Sequence, residues 1–235
     1  MPATVIIPAR GGSKRVPRKN VLPLLGIPIL TRTLHAVHDA KIADSIVVTT
    51  DDEEIADIAR DLGATTLTRP AELSDDHTPL LPVAQDAIAQ LLGLSFPIDP
   101  EDKVAMVFAT AITMDPADLA NAAGSIPHNG FVVSVASYPH PPQRGFSLTV
   151  DNALEPVDPT ASATRTQDLP ERYHDAAQFV WGTRSTWQSA TGIFANARGH
   201  VVPRWRCVDL DTPEDLKTAE VLLAGLASLR HENGS

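Results

Sequence analysis

The sequence predicts an α/β protein built on a doubly wound, mainly parallel sheet. Three observations lead there. Short runs rich in β-branched residues recur along the chain (TVIIP, SIVVTT, KVAMVFA, FVVSVAS). Stretches with apolar residues at helical spacing separate them over the first ~140 residues, the order that gives a parallel sheet covered on both faces. Most of the 20 prolines fall between the hydrophobic runs, where they act as punctuation. With 235 residues, 43% apolar and 20% charged, the chain is long enough and apolar enough to bury a real core, which excludes a disordered protein.

The elements follow in order. Thr4 to Pro8 is a short buried strand, and Ile29 to Ala40 a helix. Ser45 to Thr50 is a second strand. Asp52 to Leu62 places Ile55, Ile58 and Leu62 on one helical face, with Gly63 as its stop. Ala64 to Thr68 is a strand, Pro79 to Leu92 a helix, and Lys103 to Ala109 another buried strand. Asp115 is an N-cap with Pro116 at the first helical position, opening a helix to about Ser125. Phe131 to Ser137 is a strand. Tyr138 to Asp175, rich in Pro, Thr and Asp, reads as loops and hairpins that cover a site or form a dimerisation arm. Gln178 to Thr183 and Arg206 to Leu210 complete the strands. Thr212-Pro213-Glu214-Asp215 caps a terminal helix to about Leu229, and the closing HENGS is expected to fray.

A formal net charge of -10 argues against a general nucleic-acid binder. No run approaches the ~18 apolar residues of a membrane span. The opening residues run directly into a basic turn and are not expected to be a signal peptide. The single cysteine, Cys207, allows no disulfide within the chain. A cytoplasmic location is the resulting expectation.

The charge is uneven. Arg10, Lys14, Arg15, Arg18 and Lys19 place five of the nineteen basic residues in ten positions. They surround Gly11, Gly12 and Ser13, just past the first strand. In an open α/β sheet ligands bind beyond the carboxyl ends of the strands. Glycines admit a phosphate close to the backbone and its N–H groups, and the cations neutralise it. The turn matches neither GxxxxGK followed by Ser or Thr nor GxGxxG, so neither a P-loop nor a dinucleotide fold is expected.

IIPARGGSKRVPRKN resembles the N-terminal signature of the CMP-sugar-acid synthetases, the acylneuraminate cytidylyltransferase family. VVTTDDEEIADIARDLGA is similar to that family's second strand and helix, and RPAELSDDHT to the loop that follows. TRTQDLPERYHDAAQFVWG resembles the pseudaminic branch, which typically reads R-S/T-Q-D-L…YHDAGQFYWG, as does YPHPPQRGF. The resemblance implies a nucleotide-diphosphosugar-transferase-like fold, a Rossmann-like three-layer α/β/α arrangement. It also implies one cytidylyltransferase domain over residues 1–235 and a homodimer, with 138–175 as acceptor-binding or dimerisation loops. The implied reaction transfers CMP from CTP to an acidic nine-carbon sugar, pseudaminic acid first, with release of pyrophosphate.

By the same resemblance, Arg10, Gly12, Ser13, Lys14 and Lys19 hold the CTP triphosphate, with Gly11 and Asn20 in the same nucleotide-binding turn. Arg69 and Thr78 match positions near cytosine and ribose. Lys19, Arg10 and Asp211 are the catalytic candidates, Lys19 opposing charge on the α-phosphate.

Asp209 and Asp211 sit two apart in the stretch read as the last strand, so they share a face, as suits a hard divalent cation beside a triphosphate. A bare Asp-x-Asp is a weak signal. The resemblance, whose metal-binding aspartates match these positions, assigns them Mg2+. Asp215 reads as a first-turn helix acid. Asp51 and Asp52 end the second strand, either as helix caps or as contacts near nucleotide or metal.

On the acceptor side, Arg144, Arg165, Gln167, Tyr173, His174, Asp175 and Gln178 fall in the part that resembles the family's sugar-binding region. They supply a cation for the sugar carboxylate and donors and acceptors for its other substituents. His174 and Asp175 are adjacent, and no serine-nucleophile signature accompanies them, so they read as recognition residues rather than a dyad. Trp181, Trp187 and Trp205 read as packing residues, and Cys207 as an inert buried thiol. The eight histidines form no zinc motif.

Three departures from the family pattern bear on the sugar. Ala109 to Thr113 lacks the family's prolines, Ala177 stands where glycine is usual, and Val180 replaces an aromatic. If position 177 needs a positive φ, alanine is costly there. The competing readings are an N-acetylneuraminate or 3-deoxy-manno-octulosonate cytidylyltransferase, an enzyme using UTP or GTP, and a catalytically silent nucleotide-binding protein.

Overall fold

A computed structural model describes residues 2–233, with side chains described through position 228. The N-terminal part runs β1 (Ala3–Pro8), the short pair β2 (Pro23–Leu24) and β3 (Ile27–Pro28), α1 (Ile29–Ala40), β4 (Ser45–Thr50), α2 (Glu53–Asp61), β5 (Thr65–Thr68), α3 (Leu80–Gly93) and β6 (Lys103–Val107). It continues with α4 (Pro116–Ala122), β7 (Phe131–Ser137), the hairpin β8 (Phe146–Leu148) and β9 (Leu154–Pro156), α5 (Pro159–Ala163), β10 (Tyr173–Thr183), α6 (Arg184–Ser189), β11 (Ala197–Val201) and α7 (Pro213–Asn233). Gly234 and Ser235, the end of the segment expected to fray, lie outside the described residues.

Seven strands form one sheet in the order β11-β7-β10-β6-β1-β4-β5. All run parallel except β10, which is antiparallel to both β6 and β7. The alternation of β1 shows why helices cover both faces. Val5 and Ile7 pack with Leu30, Leu34, Val37, Ile55 and Leu119 on one side. Ile6, between them, packs with Leu81, Ala84, Ile88, Leu91 and Trp187 on the other. A strand buried on both faces needs an unbroken apolar run, and TVIIP is one. Each fully buried Ile or Leu contributes about 1.5–3 kcal/mol, so the two cores outweigh any single polar contact described below.

Local signals hold at the caps. Asp52 accepts from the Ile55 amide (3.1 Å) and Asp115 from the Ala117 amide (2.9 Å), each offsetting an orphan donor at a helix start. Trp181 and Trp187 are fully buried, donating to the carbonyls of Leu119 and Val104 (both 3.0 Å). Trp205, read as a packing residue, is instead 51% exposed, with the Arg206 guanidinium over its ring.

Several elements differ from expectation: β10 begins at Tyr173 rather than Gln178, and α6 and β11 stand where no element was expected. Arg206 to Leu210 is not a strand: Arg204–Arg206 is a 3-10 turn, and residues 207–210 run on without a strand partner. The last strand is β11, which pairs in parallel with β7 (Ala197 opposite Phe131) and takes the sheet edge. The alternating character of RCVDL reflects a segment with one side packed against the fold: Leu210 is buried with Leu24, Ile29, Ile112 and Ala219. Strand geometry therefore does not set Asp209 and Asp211 on one face.

The β10–β7 ladder breaks between Asp175 and Val180. Ala177 sits there with φ +50°, the left-handed region that glycine adopts freely and alanine does not. The amides of Gln178 and Phe179, left without ladder partners, both donate to the buried Ser134 hydroxyl (3.2 and 3.1 Å).

Candidate active site

The basic turn leaves the carboxyl end of β1 and is moored to the next strand. The Gly11 amide donates to Asp51 Oδ1 (2.8 Å), and Asn20 Nδ2 donates to the Arg10 carbonyl (2.8 Å). A side chain at Gly11 would put its Cβ 2.5 Å from Asp52 Oδ2, so the turn packs too closely on Asp52 for any residue but glycine. The sequence left Asp51 and Asp52 between two roles. Asp52 is the helix cap, and Asp51 is the mooring point of the turn. Arg18 pairs with Asp52 and Glu54 and fastens the turn to the start of α2. Its hydrogen bond holds the Asp52 carboxyl below the usual range.

A cavity of about 220 Å³ opens beside this turn, over the ends of β1 and β6. Five predicted nucleotide residues line it: Arg10, Lys19, Asn20, Arg69 and Thr78. Arg69 is buried, with Nε donated to the Leu73 carbonyl (2.7 Å), and burial lowers its pKa. It remains cationic, since guanidinium is not deprotonated in proteins. Thr78 is held by Asp75, which accepts from its amide (2.6 Å) and hydroxyl (2.7 Å). Ala109 and Thr110, from the loop that lacks the family's prolines, line the cavity too. Gly11, Gly12, Ser13 and Lys14 do not line it; Lys14 lies outside the wall with its side chain 86% exposed. A larger cavity of about 520 Å³ lies between α1, α7 and residues 112–116. It holds none of the predicted site residues, so the smaller cavity is the chemically equipped one.

Lys19 joins the cavity to the acidic pair. It lines the cavity, and its Nζ lies 3.2 Å from Asp211 Oδ1; Arg15 takes the other oxygen at 2.7 Å. Asp215 accepts from the amides of Asp211 (3.0 Å) and Thr212 (2.7 Å), and its own amide donates to Thr212 Oγ1 (3.3 Å), so Thr212 is the cap and Asp215 the first-turn acid that the sequence suggested. Burial, and then the like charge of Asp211, raise the Asp209 carboxyl. Two carboxylates that repel one another beside a phosphate-sized cationic cavity suit a divalent cation. No third His, Cys, Asp or Glu completes a metal group among the described residues. Mg2+, which shares phosphate oxygens and keeps waters, needs only one or two carboxylates, so this pair would be enough to hold it.

The acceptor candidates divide. Arg144 bonds Thr166 Oγ1 (2.7 Å), and Arg165 pairs with Asp168 (2.6 Å); both are exposed, as is Gln167. Tyr173, also exposed, donates to Glu171 (2.7 Å). None of these lines the smaller cavity. His174 stacks on Tyr138 at 4.8 Å and donates from Nδ1 to the Asp175 carbonyl (2.8 Å). The Asp175 carboxylate accepts from the Ala177 amide (2.8 Å), so His174 and Asp175 form no dyad. Asp175 is exposed along part of its side chain, yet crowding by neighbouring atoms raises its carboxyl. Gln178 is buried: Nε2 donates to the Arg206 carbonyl (2.8 Å), and Oε1 has no partner among the described residues. Cys207 is half-buried, its thiol pushed up by burial and by Asp209 and Asp175, as an inert thiol should be.

Two groups escaped the sequence reading. Asp76 pairs with Arg10 (2.6 Å) and Lys14 (2.8 Å) across the cavity mouth. Arg206 clamps Asp115 (2.7 Å) and Asp118 (2.9 Å) at the start of α4, with His200 on Asp118 at 3.0 Å. This clamp fixes the stretch that leads to Asp209. Asp76 was legible as part of an Asp-Asp pair in the loop; the Arg206 cluster joins residues more than 80 positions apart and left no local signal.

Comparison with known proteins places these features. Residues 4–92 match the family model described as cytidylyltransferase, a span that holds the basic turn, Arg69 and Thr78. A pseudaminic acid cytidylyltransferase of Campylobacter jejuni is 35% identical over 221 residues, covering 92% of this chain and 94% of that protein. N-acylneuraminate cytidylyltransferase B of Danio rerio is 29% identical over 92% of this chain and 50% of its own length. The structure of a CMP:2-keto-3-deoxy-manno-octonic acid synthetase complexed with CTP superposes with a TM-score of 0.65, covering 96% of this chain and 99% of that one, at 15% identity. A 4-diphosphocytidyl-2C-methyl-D-erythritol synthase gives 0.60 over 94% and 99%, at 13% identity. The last two bear on the fold alone and agree with its mainly parallel three-layer design. Near end-to-end likeness to the Campylobacter protein, in a chain whose basic turn opens onto a cavity of this kind, makes this protein a member of the cytidylyltransferase family, and so a nucleotidyltransferase.

Proposed function

We propose that this protein transfers CMP from CTP to the anomeric hydroxyl of an acidic nine-carbon sugar, pseudaminic acid first, releasing pyrophosphate. The observation that carries the reading is Lys19, which lines the cationic cavity and also reaches Asp211. A triphosphate in that cavity has its charge opposed by Arg10, Lys19 and Arg69, and Lys19 links it to Asp211 beyond the cavity wall. The sugar hydroxyl oxygen bonds to the α-phosphorus and gives up its proton to solvent, the bond from the α-phosphorus to the bridging oxygen breaks, and pyrophosphate leaves with the electron pair. Positioning and charge neutralisation suffice for such a step. Asp209 and Asp211 are proposed to hold Mg2+, which when bound neutralises phosphate charge. Lys19 and Arg10 orient the polyphosphate, while Arg69, desolvated in the wall, stays directed into the cavity.

The sugar is proposed to meet the nucleotide near Thr110 and β10, with Arg144, Arg165, Gln167, Tyr173, His174, Asp175 and Gln178 as recognition candidates. The hairpin of β8 and β9 exposes Phe146, Leu148, Leu154 and Val157. A lone two-stranded hairpin is marginal in water, so a homodimer that covers this arm is part of the reading. A cytoplasmic setting fits the single unpaired cysteine and the need for CTP.

The test is pyrophosphate release with CTP and Mg2+, offering pseudaminic acid, N-acetylneuraminic acid and 3-deoxy-manno-octulosonate in turn. Release with pseudaminic acid is the expected result. Preference for another acceptor reassigns the sugar, and CTP binding without release from any of the three overturns the proposed reaction.

A further inference from the structure

We infer that Asp76 is a built-in counter-anion of the nucleotide cavity, which a polyphosphate must displace and which thereby rejects ligands of low charge. The inference rests on the proposed role of this cavity as the CTP site.

Two neighbouring carboxylates in the loop after β5 do different work. Asp75 is spent on the loop itself, accepting from the His77 amide (2.9 Å), the Thr78 amide (2.6 Å) and the Thr78 hydroxyl (2.7 Å). Asp76 faces the basic turn, and its partners among the described residues are Arg10 Nη1 (2.6 Å) and Lys14 Nζ (2.8 Å). It lines the same cavity as Arg10 and Lys19. Hydrogen bonds from Lys14 and Arg10 hold its carboxyl down to about 2, so it is anionic at any working pH.

The rest of the turn is paired as well. Arg15 and Lys19 meet Asp211, and Arg18 meets Asp52 and Glu54. Arg69 has no carboxylate within ion-pair distance among the described residues. The cations nearest the cavity mouth are therefore already neutralised, and an incoming anion exchanges one partner for another. A triphosphate brings far more charge than the single carboxylate it expels, whereas a lone phosphate barely exceeds it. Binding then grows steeply with ligand charge. A different role, in which Asp76 merely holds Arg10 in place, predicts the opposite sign on its removal.

Binding of CTP, inorganic pyrophosphate and cytidine to wild type, Asp76→Asn and Asp76→Ser, measured calorimetrically without metal, separates the two. Removing one exposed counter-charge of this kind changes affinity by a factor of roughly five. The expected result is CTP and pyrophosphate binding about fivefold tighter in both variants, with cytidine unaffected. Asp76→Glu, which keeps the charge, stays on the wild-type side of that gap. CTP binding equal to or weaker than wild type in variants that melt normally overturns the inference while leaving the site intact. Failure of wild type to bind CTP overturns the reading of the cavity itself, and the inference with it.

Discussion

Adjacent glycines in the basic turn carry different burdens, and alanine substitutions separate them. At Gly11 an added Cβ meets three atoms of one side chain: Asp52 Oδ2 at 2.5 Å, Cβ at 2.8 Å and Cγ at 3.0 Å. Asp52 has little freedom to yield, because it caps α2 through the Ile55 amide and pairs with Arg18. Displacing it forfeits a helix cap worth about 1 kcal/mol and loosens the exposed pair with Arg18. For a chain of this size the lost cap alone lowers the melting temperature by about 3 °C. At Gly12 nothing lies within 4 Å of the added Cβ, and its φ is not in the left-handed region. Gly12→Ala therefore melts at or slightly above the wild-type temperature. Its expected defect is in CTP affinity, lowered roughly tenfold by the loss of close backbone contact to phosphate. Differential scanning calorimetry and CTP titration on the two variants decide the matter. If Gly11→Ala melts with wild type, or Gly12→Ala loses as much stability as Gly11→Ala, the steric reasoning is wrong.

Further outcomes follow from other positions. Ala177→Gly relieves a left-handed alanine costing about 1–2 kcal/mol, less about 0.5–1 kcal/mol of added unfolded-state entropy; a small rise in melting temperature is expected, and a fall would show that the surroundings favour the methyl group. Asp211→Ala should lose most turnover while the fold stays intact, judged by pyrophosphate release across a Mg2+ titration beside a thermal melt; near-normal activity at limiting Mg2+ would remove this residue from the metal assignment. Asp76, held at about 2 against an ordinary 3.8, stabilises the fold above its unfolded value and loses that contribution as pH falls from about 3.8 towards 2. Acid unfolding curves should accordingly show wild type losing stability in that window more steeply than Asp76→Asn.

The sheet was readable because its signals are local. TVIIP and KVAMV are apolar enough to be buried on both faces, and Asp52 and Asp115 with Pro116 marked helix starts that the structure reproduces. The basic turn beside the cavity was readable for the same reason: its five cations fall within ten residues. What escaped was non-local. ARGHV carries little apolar signal because β11 is an edge strand, while RCVDL imitates a strand by burying alternate residues outside the sheet. The positive φ at 177 was foreseen as a condition of the likeness to YHDAGQF, but that Ser134 would satisfy the amides beyond it depends on a strand some 45 positions away. The pairing of Asp76 with Arg10 likewise joins two loops, and composition alone counts such charges without matching them.

The antiparallel strand at the centre of the sheet also bears on how the chain is made. β6 and β7 do not touch as partners; β10 lies between them, bonded to both. A growing chain that has emitted β1, β4, β5 and β6 thus holds a nearly finished half-sheet with one raw flank, and β7, though next in order among the sheet strands, cannot close it. Closure waits until residues 173–183 have been synthesised, some 65 positions after β6 ends. During that interval the apolar KVAMV edge is open to any other extended chain. Conditions that slow synthesis through the intervening 138–175 arm should therefore lower the yield of folded enzyme by aggregation, without altering the stability of the molecules that finish.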